Sequence, residues 1–118
     1  MDATLEMMAR DLADAMRDSE DSRELKRLRA VAYEDETNAK LLDEYQKLQI
    51  QMQRGMVAGG APDEEDMQRF QRIASLLMMN QDAQAYLICQ MRVQQTFAQL
   101  IQIISEGAGL SLSDWAAS

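Results

Sequence analysis

The sequence predicts an all-α fold of about five helices. An antiparallel hairpin of the third and fourth packs with a long C-terminal helix. Three observations predict it. Apolar residues recur at three- and four-residue steps in every segment between turn signals. Five Gly and one Pro in 118 residues are too few for an all-β chain. Finally, in the stretch 81–106, Arg92 is the only charge between Ala83 and Ser105. At 100° per residue, Tyr86, Cys89, Val93, Phe97, Leu100, Ile101 and Ile104 fall on one face of this stretch. Leu87, Met91 and Ala98 widen that face to roughly 200°, beyond the stripe of an ordinary surface helix. So wide an arc implies a central helix with more than one neighbour.

The first helix spans about residues 3–17, with Asp2 as N-cap and Leu5, Met8, Ala9, Leu12, Ala15 and Met16 on one face. The polar run DSEDS interrupts it. Ser19 caps a second helix, whose first turn carries Glu20 and Asp21 against the positive end of the helix dipole. Leu25, Leu28, Val31 and Ala32 point inward from this helix. Arg23, Lys26 and Arg27 lie on its exposed side, with Arg29 on the flank. Asp35 either caps a third helix or marks a kink in a continuous one. From Glu36 the apolar face is Leu41, Leu42, Tyr45, Leu48, Met52 and Met56.

Gly59-Gly60-Ala61-Pro62 is the clearest turn in the chain. Asp63 caps the fourth helix, with Met67, Phe70, Ile73, Ala74, Leu77 and Met78 inward. Asn80 caps the fifth, and Gly107 and Gly109 stop it. Residues 1–109 therefore read as one helical domain and 110–118 as a flexible tail. Leu110, Leu112 and Trp115 in that tail are candidates for docking on a partner or a second subunit, outside the monomer core.

Composition excludes more than it assigns. The net charge of −8 disfavours phosphate binding over the whole surface. There is no His, so the commonest general base and metal ligand are missing. A single Cys rules out an internal disulfide and a cysteine cluster. Cys89 falls on the inner arc and reads as a buried structural thiol. Carboxylate pairs such as Asp43–Glu44 and Glu64–Glu65 sit at helix starts or on polar faces, where capping and solvation account for them. No catalytic residue, metal site or cofactor is expected, and the chain reads as a non-enzyme.

The ten Met residues are expected mostly in the core, with Met7, Met56 and Met79 the best candidates for a recognition surface. The run RELKRLR is the only basic cluster. Arg23, Lys26, Arg27 and Arg29 are read either as a solvated face or as a contact patch for RNA or an acidic partner. Leu100, Ile101, Ile103 and Ile104 form an uncharged apolar patch and are the candidate interface of a homo-oligomer, most simply a dimer. The competing expectation is that the first helix folds back and covers this patch within the monomer. No apolar run reaches the length of a membrane span, and the acidic N-terminus lacks a signal peptide's basic start. A cytoplasmic location follows by default.

The ordered pieces LADAM, DSEDSRELKRLR, DETNAKLLDEYQKLQIQMQ, PDEEDMQRFQRIASLLMMNQDAQAYLICQ and QLIQIISE resemble the YlbF/YmcA family of small bacterial helical proteins. SEDSRELK, LLDEYQKLQ and NQDAQAYL are the most telling, and the resemblance covers roughly residues 3–106. It implies an all-helical cytoplasmic protein that self-associates and acts through other proteins. Family members form a complex resembling a specificity factor for the membrane-anchored endoribonuclease Y. That role links them to mRNA maturation, competence, biofilm formation and sporulation. Some such complexes are tied to iron–sulfur clusters through cysteines. Cys89 cannot hold one alone, so no cofactor is carried over.

Overall fold

The computed structural model describes residues 1–57, 59–61 and 63–110. Within them the chain forms five helices and no strand: α1 Ala3–Arg17, α2 Glu20–Tyr33, α3 Glu36–Val57, α4 Glu64–Met78 and α5 Gln81–Gly107. Each predicted cap is made. Asp2 accepts from Thr4 and Leu5, Ser19 from Ser22, Asp63 from Glu65, and Asn80 from Ala83. Asp35 Oδ1 accepts from the Asn38 amide at 2.9 Å, so α2 and α3 are separate helices. These caps satisfy amide groups that the first turn of a helix leaves without partners.

The helices form a slab of 46 × 36 × 19 Å. α2 lies along α5, α3 packs on α4, and lighter contacts join α2 to α3 and α4 to α5. The core is one cluster of Ala32, Leu42, Leu48, Ile73, Leu77, Ala83, Tyr86 and Leu87. Leu25, Leu28, Leu41 and Phe70 pack against it. Aromatic contacts join neighbouring helices: Tyr45 stacks on Phe70 at 4.7 Å, and Tyr33 meets Tyr86 edge-on at 6.4 Å.

The hydroxyls of buried Tyr86 and half-buried Tyr33 find partners. Gln46 Nε2 donates to the Tyr86 hydroxyl at 3.2 Å, and the Tyr33 hydroxyl donates to Asp43 Oδ1 at 2.9 Å. Cys89 has no exposed surface, and its thiol donates to the Asp21 carbonyl at 3.6 Å. It sits in the packing between α5 and the start of α2.

The methionines correct the sequence reading. None of the ten is buried: Met16 and Met52 are half-buried and the other eight are exposed. The physical reason is the thinness of the slab. Only α2 packs on three helices and the others pack chiefly on one or two, so the flank of most apolar arcs is left in solvent. The branched and aromatic residues at the arc's centre take the buried positions.

Core and surface positions should separate cleanly in denaturation. Leu77→Ala is expected to cost about 2–5 kcal/mol, because Leu77 is fully enclosed. Leu5→Ala, on exposed α1, should change monomer stability by less than about 0.5 kcal/mol. Urea titration at a monomeric concentration checks both.

Burial, with help from the Asp43 carboxylate, pushes the Tyr33 hydroxyl up to about 12. The folded value lies above the free one, so the fold favours the neutral phenol. That stabilisation is complete below pH 10 and is lost as pH rises toward 12. Burial raises the Tyr45 hydroxyl as well; an ultraviolet titration of tyrosinate should therefore show a phase delayed toward pH 12, and Asp43→Asn should bring the Tyr33 part of it to lower pH.

Candidate functional site

The surface left open is as regular as the core. α1 is amphipathic yet buries none of its residues. Leu5 and Met8 on its apolar face are 63% and 64% exposed. In α5, full burial stops at Cys89. Beyond it Val93 and Leu100 are half-buried, while Phe97, Ile101, Ile103 and Ile104 are exposed. α2 is only 14 residues long against 27 for α5, so it runs out before the last turns of α5.

The joint at Asp18 and Ser19 lets α1 take over where α2 ends. Ser19 Oγ donates to the Met16 carbonyl at 2.7 Å, and the Arg23 guanidinium donates twice to the Asp18 carbonyl, at 3.0 and 2.8 Å. These bonds hold the joint between α1 and α2. They bring Ala9, Leu12, Ala13 and Met16 to face Phe97, Leu100, Ile101 and Ile104. The two rows do not close. Between them lies an almost wholly apolar cleft of about 240 Å³. Ala9 and Ala13 are too small to fill it.

Of the four residues expected at an interface, Leu100, Ile101 and Ile104 line this cleft. Ile103 lies outside it and is 65% exposed. The expectation that the first helix covers the patch holds in position but not in closure. The opposite wall was missed as part of the site. Its signal was the apolar face of the first helix, read only as a face for the helix's own core. In the predicted tail, Leu110 is about half exposed, while Leu112 and Trp115 lie outside the described residues.

The basic face of α2 is partly spent on its own helix. Arg23 is held by the Asp18 carbonyl, and Arg27 pairs with Glu24, its Nε 3.1 Å from Oε2. The Arg27 hydrogen bond holds the Glu24 carboxyl below its usual range. The Arg29 guanidinium lies 4.5 Å above the Tyr33 ring, a cation–π contact. Lys26 is exposed. Glu20 and Glu24 alternate with Arg23 and Arg27 around an open depression, so the local charge is mixed.

A second open groove, of about 400 Å³ between α3 and α4, is also mixed. Lys40, Lys47 and Arg69 line it with Asp43 and Glu44, and Arg69 pairs with Glu44. Among the described residues, no three His, Cys, Asp or Glu side chains are placed to hold a metal ion, and no helix is long and apolar enough to cross a membrane.

Comparison with known proteins places this architecture. UPF0342 proteins of Staphylococcus aureus strains JH9 and Newman are each 30% identical over 96 residues, covering 81% of this chain and 84% of theirs. A solved structure from Bacillus stearothermophilus, described as a protein of unknown function (DUF964), has the same fold. Its TM-score is 0.74 at 23% identity, over 90% of this chain and 93% of that one. The family profile described as control of competence regulator ComK, YlbF/YmcA, matches residues 5–107, from α1 to the end of α5. The chain therefore belongs to the YlbF/YmcA family, which is described by a regulatory role and not by a catalytic one.

Proposed function

We propose that this chain is a non-enzymatic regulatory adaptor that acts in the cytoplasm through protein–protein contacts. It modulates ribonuclease Y-dependent mRNA maturation, and through it competence, biofilm formation and sporulation. Family membership supports a regulatory role, described as control of the competence regulator ComK, and the ribonuclease Y pathway is our reading built on it. The observation that carries the mode of action is the open α1–α5 face, where two amphipathic helices present apolar side chains that neither buries. Large exposed apolar patches on soluble proteins mark interaction sites.

Area supports a partner there. The chain exposes 9155 Å², against about 6,500 Å² for a compact monomer of this mass. The last eight residues can add at most roughly 1,200 Å² of the difference, taking the unfolded-chain value. More than about 1,000 Å² of excess remains, enough for one side of a standard interface of ~800 Å² per partner. The Cα radius of gyration, 17.3 Å, likewise exceeds the ~13.5 Å of a compact chain of this length. The simplest partner is a second copy meeting the same face about a twofold axis, since such a contact buries both patches at once. Related helical proteins and a ribonuclease complex are the further partners this reading implies.

The alternative is an RNA-contacting factor using the basic face of α2. It draws less support, because Arg23 and Arg27 are already hydrogen-bonded within the chain. Reversing Arg23, Lys26, Arg27 and Arg29 would abolish salt-dependent RNA binding if that reading held.

Sedimentation equilibrium at micromolar concentration should give a dimer mass. Ile101→Glu and Ile104→Glu should each shift it toward monomer, because a buried carboxylate on either residue is left unpaired. A clean monomer, or a dimer indifferent to both, would place the interface elsewhere. In the native bacterium, loss of this chain should change the maturation of ribonuclease Y-dependent transcripts, and Ile104→Glu should fail to restore it. Unchanged transcripts would remove the pathway from the reading.

A further inference from the structure

We infer that two copies join through α1, packed antiparallel with the twofold axis at Ala9, and that Leu5 of each copy seats in the other's α1–α5 cleft beside Ala13. The inference rests on the reading of that face as the contact between copies. It adds which elements meet, in which direction and at which residue.

α1 carries a seam that its own chain covers on one side only. At 100° per residue, Leu5, Ala9, Leu12 and Met16 fall within about 60° of one another. Their steps of four, three and four are those of a helix packed along a second helix. Ala9, Leu12 and Met16 line the cleft against α5. Leu5 is not among the lining residues and is 63% exposed. Four charges of α1 lie away from the seam and pair among themselves, Arg10 with Glu6 at 2.8 Å and Arg17 with Asp14 at 3.1 Å. One uncharged helix face therefore bears a hole and, beside it, a large apolar side chain left in solvent.

Such a face fits itself. In a twofold contact residue i meets j and j meets i, so the hole of each copy takes the knob of the other. Ala9 is midway in sequence between Leu5 and Ala13. Placing Leu5 of one copy against Ala13 of the other therefore puts the axis at Ala9 and runs the helices antiparallel. A parallel pair would set Leu5 on Leu5 and leave both clefts unfilled. Both alanines then have a part: Ala9 lets the helices cross closely, and Ala13 leaves room for Leu5. The cleft of about 240 Å³ is smaller than the ~300–1,000 Å³ of small-molecule sites, and its apolar lining suits a leucine. The resulting bundle of two α1 and two α5 helices covers Phe97 and Ile104, which are 55% and 56% exposed in the single chain. The area such a contact needs, ~800 Å² per copy, is within the surface excess of the chain.

Cysteine cross-linking reads both the axis and the direction. Cys89 has no exposed surface, so the unmodified chain is the unlinked control under oxidised glutathione. Ala9→Cys should link to itself and give a disulfide dimer. Ala13→Cys alone should not. Two copies of Ala13 stand four residues either side of the axis, about 12 Å apart along the helices, beyond the roughly 4.4–6.8 Å that a disulfide spans between Cα atoms. Leu5→Cys mixed with Ala13→Cys should link, although neither does so alone. All three positions are exposed, so the fold tolerates the changes, and circular dichroism verifies that.

Leu5→Ala should weaken the dimer roughly tenfold, about 1.4 kcal/mol, and leave monomer stability nearly unchanged. A dimer that Ile104→Glu dissociates but that yields no Ala9→Cys product overturns the inference and leaves the dimer reading standing. So does a dimer that links equally well through Ala13→Cys alone, or one indifferent to Leu5→Ala. A chain that stays monomeric and unlinked removes the dimer reading itself, and the inference with it.

Discussion

Ala32, Ala83 and Cys89 have no exposed surface, and small side chains at such positions let helix backbones approach closely. They lie in α2 and in the first half of α5, the pair that packs most extensively. The Cys89 thiol on the Asp21 carbonyl and the Tyr33–Tyr86 contact bracket this packing from the start of α2 to its end. The hairpin of α3 and α4 then closes the core from the other side through Leu42, Leu48, Ile73 and Leu77. Without the α2–α5 contact, the hairpin would have no surface to cover.

The same contact determines where the core stops. At 1.5 Å per residue, α2 is about 21 Å long and α5 about 40 Å. Half of α5 must therefore find cover elsewhere, and α1 is the element within reach. The turn at Asp18 and Ser19 aims α1 correctly, but its alanines leave a gap where larger residues would have sealed one. An apolar helix face that approaches its partner without closing is a poor way to stabilise a monomer. It is a sound way to hold a surface ready for another chain. The family is described by a regulatory role, and the open α1–α5 face is where the proposed recognition would take place.

Electrostatics plays a lesser part. The ion pairs Arg10–Glu6, Arg17–Asp14 and Arg27–Glu24 lie within one helix and are exposed, so each contributes little to stability. Their effect is on recognition. By occupying arginines with nearby carboxylates, they leave α2 without the unbroken positive face that nucleic acid requires. The uncharged α1–α5 face is then the most distinctive surface of the molecule.

The sequence by itself determined the helical segments, most of their caps and the hairpin turn, and left open only whether Asp35 divides α2 from α3 or kinks one helix. These are local matters: Asp2, Ser19, Asp35, Asp63 and Asn80 satisfy amides within three residues, and helical spacing is visible in any single segment. It also determined the absence of His and the lone Cys, which bear on chemistry whatever the fold. Part of the site was legible too, since Leu100, Ile101 and Ile104 stand out as an uncharged apolar run. Tertiary structure decided how wide a part of each apolar arc is buried. It placed all ten Met residues at the flanks and set Leu12 and Met16 opposite Phe97. It also spent Arg23 on a backbone carbonyl. None of this can be read from periodicity, because an apolar face records only that something covers it. Which neighbour does so, and how closely, depends on helix lengths, on the angle of one turn and on the size of two alanines.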